Sequence, residues 1–337
     1  MQISLMIEGQ EGVTWEEWVR LAELCEQFGY EGLIRSDHAT SLFAPSERGS
    51  LDAWTTIAGL ATLTSRIRLG TMVSPVSFRH PAHLARVVAA ADHISDGRVQ
   101  VGIGAGWYGD EHRTFGFDFP NEARRMAKLD EYVEVVHLLL TESGPVDFAG
   151  EHYRLDAACL SPRPVQKPRP PIVLGGLAGP KAAAVAARFA DEYNLHGTAP
   201  ADVAPKRARL QAACDALGRD PSTLRLSING NVLVGTGPDD LALRSRRHAA
   251  YQGLVASSPA DYLAGLDSSC LVGTPDRLLE QVAAYADAGV GRVLMQVFPH
   301  DDYEAISIIG SEIVPAARSM TSRGEPSPGE EGRSDDN

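Results

Sequence analysis

Asp37 and His38 stand side by side directly after a short apolar run at residues 32–34. A carboxylate beside an imidazole can hold its tautomer and raise its pKa. The pair therefore suits proton transfer or contact with a cofactor; the plainer alternative is a surface pair in a loop. A second group, Gly102, Gly104 and Gly106 in the run GIGAG, closes another apolar stretch. Its third glycine comes one place too early for the dinucleotide fingerprint G-x-G-x-x-G. These glycines either let a ring or a backbone approach closely or serve tight packing between strands. Gly175 and Gly176 come just before a helical stretch that begins near Pro180. Backbone N–H groups in such a turn can cradle a phosphate, with the helix N-terminus adding a favourable field. The alternative is a simple strand-to-helix turn.

Other titratable clusters carry less. His80, His83 and His93 lie close in sequence but have no third ligand at metal spacing, and no H-E-x-x-H occurs, so no metal site is expected. Asp110, Glu111 and His112 read as a solvated turn or helix start from which Glu111 could reach a neighbouring strand end. Neither G-x-S-x-G nor G-x-x-x-x-G-K-[ST] appears, which removes support for a hydrolase elbow or a P-loop. The four cysteines, Cys25, Cys159, Cys214 and Cys270, are spread too widely for a zinc or redox pair.

The elements that must position these residues alternate. Residues 3–7 read as strand and 14–28 as helix, with a capping-box signal at Thr14 and Glu17 and a terminating Gly29. The alternation runs on through strands at 32–34, 67–73, 99–103, 172–174, 192–195, 224–234 and 292–298. Helices fall between them, with Pro81 suited to a first helical turn. Eight strand–helix units in one chain predict a parallel α/β sheet closed into a (β/α)8 barrel. Two stretches break the rhythm and read as insertions, about 144–171, with a hairpin near 146–155, and about 255–272. The domain is expected to span 1–318. The tail, 319–337, is rich in Gly, Ser, Pro and acid and reads as disordered.

In such a barrel, chemistry belongs at the C-terminal ends of the strands. That places Asp37 and His38, Thr71 to Val76, Ala105 with Gly106 and Trp107, Gly175 with Gly176, residues 194–197, and residues 296–300 around one mouth. Composition limits the partners. With 337 residues there is ample length for a large core, and a net charge of −13 offers no footprint for nucleic acid or an anionic membrane. No apolar run reaches the roughly 20 residues that span a bilayer, and the N-terminus lacks a signal-peptide pattern. A cytoplasmic protein acting on a small molecule is expected.

The tripeptide Ser36-Asp37-His38, the run LGTMVSPVSFRHPAHLARVVAAADHISDGRVQVGIGAGW from residue 69 to 107, EHRTFGFDFP from 111 to 120 and PRPVQKPRPPIVLGG from 162 to 176 resemble the luciferase-like monooxygenase superfamily. Within it, the sequence is most similar to the deazaflavin (coenzyme F420)-dependent oxidoreductases. The resemblance covers about residues 1–316. It implies a TIM barrel whose insertions partly cover the strand C-termini, with the flavin or deazaflavin ring in the mouth. It implies a non-prolyl cis peptide at Met72–Val73 behind the ring, after Thr71, and Ala105 and Gly106 beside the ring. It places Asp37 and His38 at the ring's polar edge, with His38 as proton donor or acceptor oriented by Asp37. It places the cofactor phosphate on the amides of Gly175, Gly176 and Leu177, with His196 and Gly197 nearby. Family members commonly form homodimers.

One departure bears on substrate. Related sugar-phosphate dehydrogenases have a glutamate where this chain has Trp107, and their phosphate-gripping lysines have no match. Trp107 instead offers an aromatic wall, with Trp54, Phe78 and Tyr108 as candidates to extend it or to serve as core or lid packing. The expectation is therefore F420-dependent hydride transfer to or from a small organic substrate. The alternatives are an FMN-dependent monooxygenase supplied by a flavin reductase and, in another class, a non-catalytic flavin-binding homologue.

Overall fold

The computed structural model describes residues 1–44, 47–255 and 258–320. Strand and helix alternate from the start: β1 (Gln2–Ile7), α1 (Trp15–Phe28), β2 (Gly32–Arg35), α2 (Ala53–Ala61), then β3 (Arg68–Thr71) with its short continuation β4 (Ser74–Pro75). Next come α3 (Pro81–Ser95), β5 (Val99–Gly104), α4 (Gly109–Phe115) and α5 (Glu122–Thr141). A hairpin of β6 (Val146–Ala149) and β7 (Arg154–Ala158) precedes β8 (Ile172–Gly176), α6 (Pro180–Phe189), β9 (Glu192–His196) and α7 (Val203–Asp215). The chain continues through β10 (Arg225–Val234), α8 (Pro238–Tyr251), α9 (Pro259–Ala264), β11 (Leu271–Gly273), α10 (Pro275–Asp287) and β12 (Arg292–Val297). It closes with α11 (Tyr303–Ile308), a π-helical turn and α12 (Val314–Ala317).

Local chemistry explains the boundaries. Thr14 and Glu17 form the reciprocal capping box of α1, and Gly29 ends the helix with φ 75°. Pro81 occupies the first turn of α3, where its missing N–H costs nothing.

All eight barrel strands are parallel. The order β12, β1, β2, β3, β5, β8, β9, β10 closes on itself because β10 pairs with both β9 and β12. The interior is layered. At the N-terminal end, buried Arg292 reaches Gln100 (2.8 Å) and Glu192 (3.3 Å) and lies 3.6 Å from Glu31, which accepts from Ser4. Above this polar plug Met6, Ile34 and Leu294 form an apolar floor, with Met72 packed on it. The mouth opens above that floor.

The two interruptions start from opposite faces. The segment carrying the β6–β7 hairpin joins the end of α5 to the start of β8, so both its ends belong to the N-terminal face. The hairpin runs back along α5, and its tip is held where Glu131 accepts from the backbone N–H groups of Glu151, His152 and Tyr153. It packs along α5, and Tyr153 at its tip reaches the ring of His80, the N-cap of α3, on the strand-C-terminal side (5.5 Å). The cover over the mouth comes from the second interruption, which is wider than 255–272 and begins with α8. Tyr251 of α8 packs against Phe43 and Phe298, and Arg48 lies over its ring at 4.0 Å. β11 then takes over from β9 along the upper part of β10.

Ser319 and Met320 still pack on the barrel. Met1, at the N-terminal face, donates from its ammonium group to the Met320 carbonyl. Residues 321–337, most of the expected tail, lie outside the described residues.

Candidate active site

His38 follows β2 and is held from a distant part of the chain. Its Nδ1 lies 2.9 Å from Glu111 Oε1, while Glu111 Oε2 accepts from the Ala39 N–H at 2.9 Å. A carboxylate only accepts, so Nδ1 carries the proton and Nε2 is left for a ligand. Glu111 sits on α4 and is almost fully buried. Burial alone would push the His38 pKa down. The hydrogen bond and charge of Glu111, with the charges of Glu8 and Asp37, outweigh it and hold the pKa above the ordinary histidine value. The imidazole stands edge-on to Trp107 (5.6 Å) and Tyr108 (6.1 Å).

The neighbour of Glu111 works on the next strand. His112 Nδ1 donates to the Tyr108 carbonyl at 2.7 Å, which fixes the tautomer, and Nε2 accepts from Ser77 Oγ at 2.6 Å. Short helix α4 thus clamps the segments after β2 and after β4 with consecutive side chains.

Asp37 has a different occupation. Its Oδ2 accepts from Ser74 Oγ at 2.6 Å and from Arg79 at 2.5 Å, and Arg79 also reaches Asp52. Asp37 therefore does not orient His38; it touches the imidazole only through its charge. The physical reason is that Arg79 and the Ser74 hydroxyl claim the carboxylate. Thr71 is also committed: it is fully buried, and its hydroxyl donates to the Gly102 carbonyl at 3.0 Å. It ties β3 to β5 and does not face a ligand.

The Met72–Val73 peptide bond is cis. Met72 caps the apolar floor, and Val73 fills a notch cut by glycines. A Cβ on Gly104 would stand 2.4 Å from Val73 Cγ2, and one on Gly102 or Gly175 would stand 3.2 Å from Cγ1. Between the two readings of the glycine run, Gly102 and Gly104 serve packing. Ala105 and Gly106 are half-buried at the end of β5, Gly106 with φ +79°, and Trp107 beyond them is 64% exposed.

Across the barrel, Gly175 and Gly176 end β8 beside His196 and Gly197 at the end of β9. Leu177 is 66% exposed. Ala178 donates its N–H to the Tyr193 hydroxyl at 3.0 Å, which anchors the turn. α6 begins at Gly179 without a side-chain cap, and space is open around Gly179 and Gly197.

The wall made by β1 and β12 completes the mouth. Glu8 accepts from Gln10 at 2.8 Å and from Gln296, and Gln10 accepts from Ser36 at 2.5 Å. The arrangement is a strand-C-terminal pocket with an apolar floor, an acid–base group at one edge and an open backbone turn at the other.

A family model described as luciferase-like monooxygenase matches residues 2–292. The chain belongs to this family.

Solved structures agree on the fold of this luciferase-like chain. It is similar to an F420-dependent secondary alcohol dehydrogenase in complex with an F420–acetone adduct, at 21% identity and a TM-score of 0.80, covering 94% of this chain and 99% of that one. An F420-dependent tetrahydromethanopterin reductase from Methanopyrus kandleri matches at 20% identity and TM-score 0.75, with coverage of 94% and 99%. A monooxygenase from Streptomyces bottropensis matches at 23% and 0.74, again covering 94% and 99%.

Sequence reasoning missed part of the luciferase-like site. Glu111 was seen as able to reach a strand end but not as the partner of His38. Glu8 was overlooked although it directly follows β1, where the strand-end rule points. The histidines set aside as metal ligands have local work: His80 caps α3, and His93 donates to the Arg163 carbonyl at 2.7 Å.

Proposed function

We propose that the chain is an F420-dependent oxidoreductase that moves a hydride between the deazaflavin and a small organic substrate. The observation that carries this reading is the buried Glu111 carboxylate fixing His38 at the mouth, with Nε2 uncommitted. Hydride transfer at a carbon bonded to oxygen or nitrogen needs a proton added to or taken from that heteroatom. A positioned imidazole whose pKa is held above the ordinary histidine value by Glu111 supplies it. An oxygen-activating flavin needs walls that shut water out. Here the rim side chains Trp107 and Leu177 stand largely in solvent.

The residues present fit the cofactor. The uncapped start of α6, with open space at Gly179 and Gly197 beside Gly175, Gly176 and Leu177, suits a phosphate. The β3–β4 bulge at Met72 and Val73 offers a ring an apolar back wall. The bound deazaflavin would supply a carbon that gives or takes a hydride. The chain's own side chains do the rest. Glu111 sets the tautomer of His38, His38 Nε2 exchanges the substrate proton, and Trp107 limits how a substrate lies over the mouth. A homodimer working without a flavin reductase, nucleic acid or membrane belongs to the same proposal.

The test is a paired fluorescence titration of the protein with F420 and with FMN, each oxidised and reduced. Tight F420 binding with weak FMN binding is expected. The reverse preference would point to an FMN-dependent monooxygenase, and binding of neither would point to a non-catalytic homologue.

A further inference from the structure

The β1–β12 wall carries a carboxylate that forms no direct ion pair among the described residues, although the charges of His38 and Arg35 act on it from nearby. Both oxygens of Glu8 accept from neutral amides, those of Gln10 and Gln296, and no ion pair to Glu8 occurs among the described residues. The other carboxylates nearby differ: Arg79 holds Asp37, Arg48 holds Glu11 at 2.9 Å, and His38 holds Glu111. Glu8 therefore leaves a net negative charge at the edge of a partly desolvated pocket, where charges are weakly screened.

A second acceptor waits on the neighbouring strand. Asn229 is 5% exposed, and its Oδ1 has no hydrogen-bond partner. Its register partner on β12 is Leu294, part of the inner floor, so the side chain faces the barrel interior. A buried amide oxygen left unpaired costs free energy that a donor on a ligand would recover. The third element is Trp107, whose indole face attracts cations better than the other aromatic side chains do. The nearby arginine, Arg35, is buried against the Trp18 ring and donates to the Ser36 and Leu51 carbonyls, with its Nη1 left unpartnered.

Resting on the hydride-transfer reading above, we propose that the substrate is a cationic amine, a secondary or tertiary alkylammonium carrying an apolar group, oxidised at the carbon beside nitrogen to an iminium ion. The ammonium proton passes to His38 Nε2. The pair of the α C–H bond leaves as hydride to the oxidised deazaflavin, and the nitrogen lone pair closes the C=N bond. One cation enters; one cation, one proton and one hydride result, so charge and electrons balance. Positive charge sits on nitrogen in the substrate and builds there again as the hydride leaves. Glu8, the Asn229 oxygen and the Trp107 face can stabilise it in that transition state. An anionic substrate would meet Glu8 as a like charge.

The experiment uses three probes of similar shape: N-benzylmethylamine (cation), benzyl methyl ether (neutral) and phenylacetate (anion). Tryptophan fluorescence of the full chain reads their binding with and without F420, and the absorbance of oxidised F420 reads hydride transfer. The amine is expected to bind about tenfold tighter than the ether, a difference of about 1.4 kcal/mol, with phenylacetate weakest. Glu8→Gln should bring the amine-to-ether ratio close to one. If that variant misfolds, added salt on the unaltered protein should weaken the amine and spare the ether. Ether or phenylacetate binding as tightly as the amine, or a ratio that neither the variant nor salt moves, overturns the proposal. Selection of the amine by a chain that binds no F420 overturns the oxidation step through the cofactor reading and leaves the cation preference standing.

Discussion

His38 and Glu111 are 73 positions apart and meet because β2 and β5 deliver their loops to one mouth. The link has a signed pH dependence. The folded pKa of His38 is raised above 6.5, so its contribution to stability is complete below that value and disappears as pH rises through the folded pKa. Glu111→Gln should remove this dependence and lower the pKa of the remaining imidazole, because burial is then less opposed. Unfolding free energies measured from acid to alkaline pH would show the stability difference between the two proteins shrinking as pH rises. A parallel curve at constant offset would contradict it. His38→Ala should lower hydride transfer by about 10² to 10⁴ with much smaller loss of cofactor affinity. Stopped-flow turnover beside equilibrium titration separates the two effects.

At the scale of elements, the glycines of β5 mark where the β3–β4 bulge is seated. Gly104→Ala would drive a methyl group into Val73 Cγ2, and valine is stiff at χ1. A loss of about 1–3 kcal/mol in denaturant unfolding is expected, as for other overpacked cores. Val73→Ala in the same chain should recover most of it. Gly102→Ala should not be recovered that way, because its Cβ would stand 2.0 Å from the Thr71 backbone oxygen. The elements themselves were legible: capping at Thr14, the stop at Gly29 and the apolar periodicity announce strands and helices in the observed order. Their side-chain commitments were not. Nothing in the tripeptide Ser36-Asp37-His38 tells that Arg79 will claim Asp37 while Glu111 claims His38. Both partners arrive by strand order and loop path, and those are properties of the closed barrel. The hairpin at 146–158 is visible locally, but its path along α5 and its contact with the start of α3 follow from the closed barrel.

The molecule as a whole divides its labour between its two ends. The closed end is stapled by Arg292 across β12, β5 and β9 to Gln100 and Glu192, far from the mouth. Arg292→Met should leave Glu31 and Glu192 with only the outer cations Arg68 (3.5 Å) and Arg225 (3.9 Å), and cost at most about 3–5 kcal/mol. Affinity for the cofactor, measured below the new melting transition, should stay as it was. A change in affinity would mean that the ends are coupled. The family-wide run from residue 69 to 107 made the barrel readable, because it encodes β3, the bulge, α3 and β5 together. The substrate-facing wall was less readable, since Glu8 and Asn229 belong to no motif and acquire meaning only from their inward register. The meeting of Met1 with Met320 on the closed face has a practical consequence. A chain held to an electrode or bead by this closed face would present the open mouth outward, so immobilisation there should leave substrate and cofactor access intact.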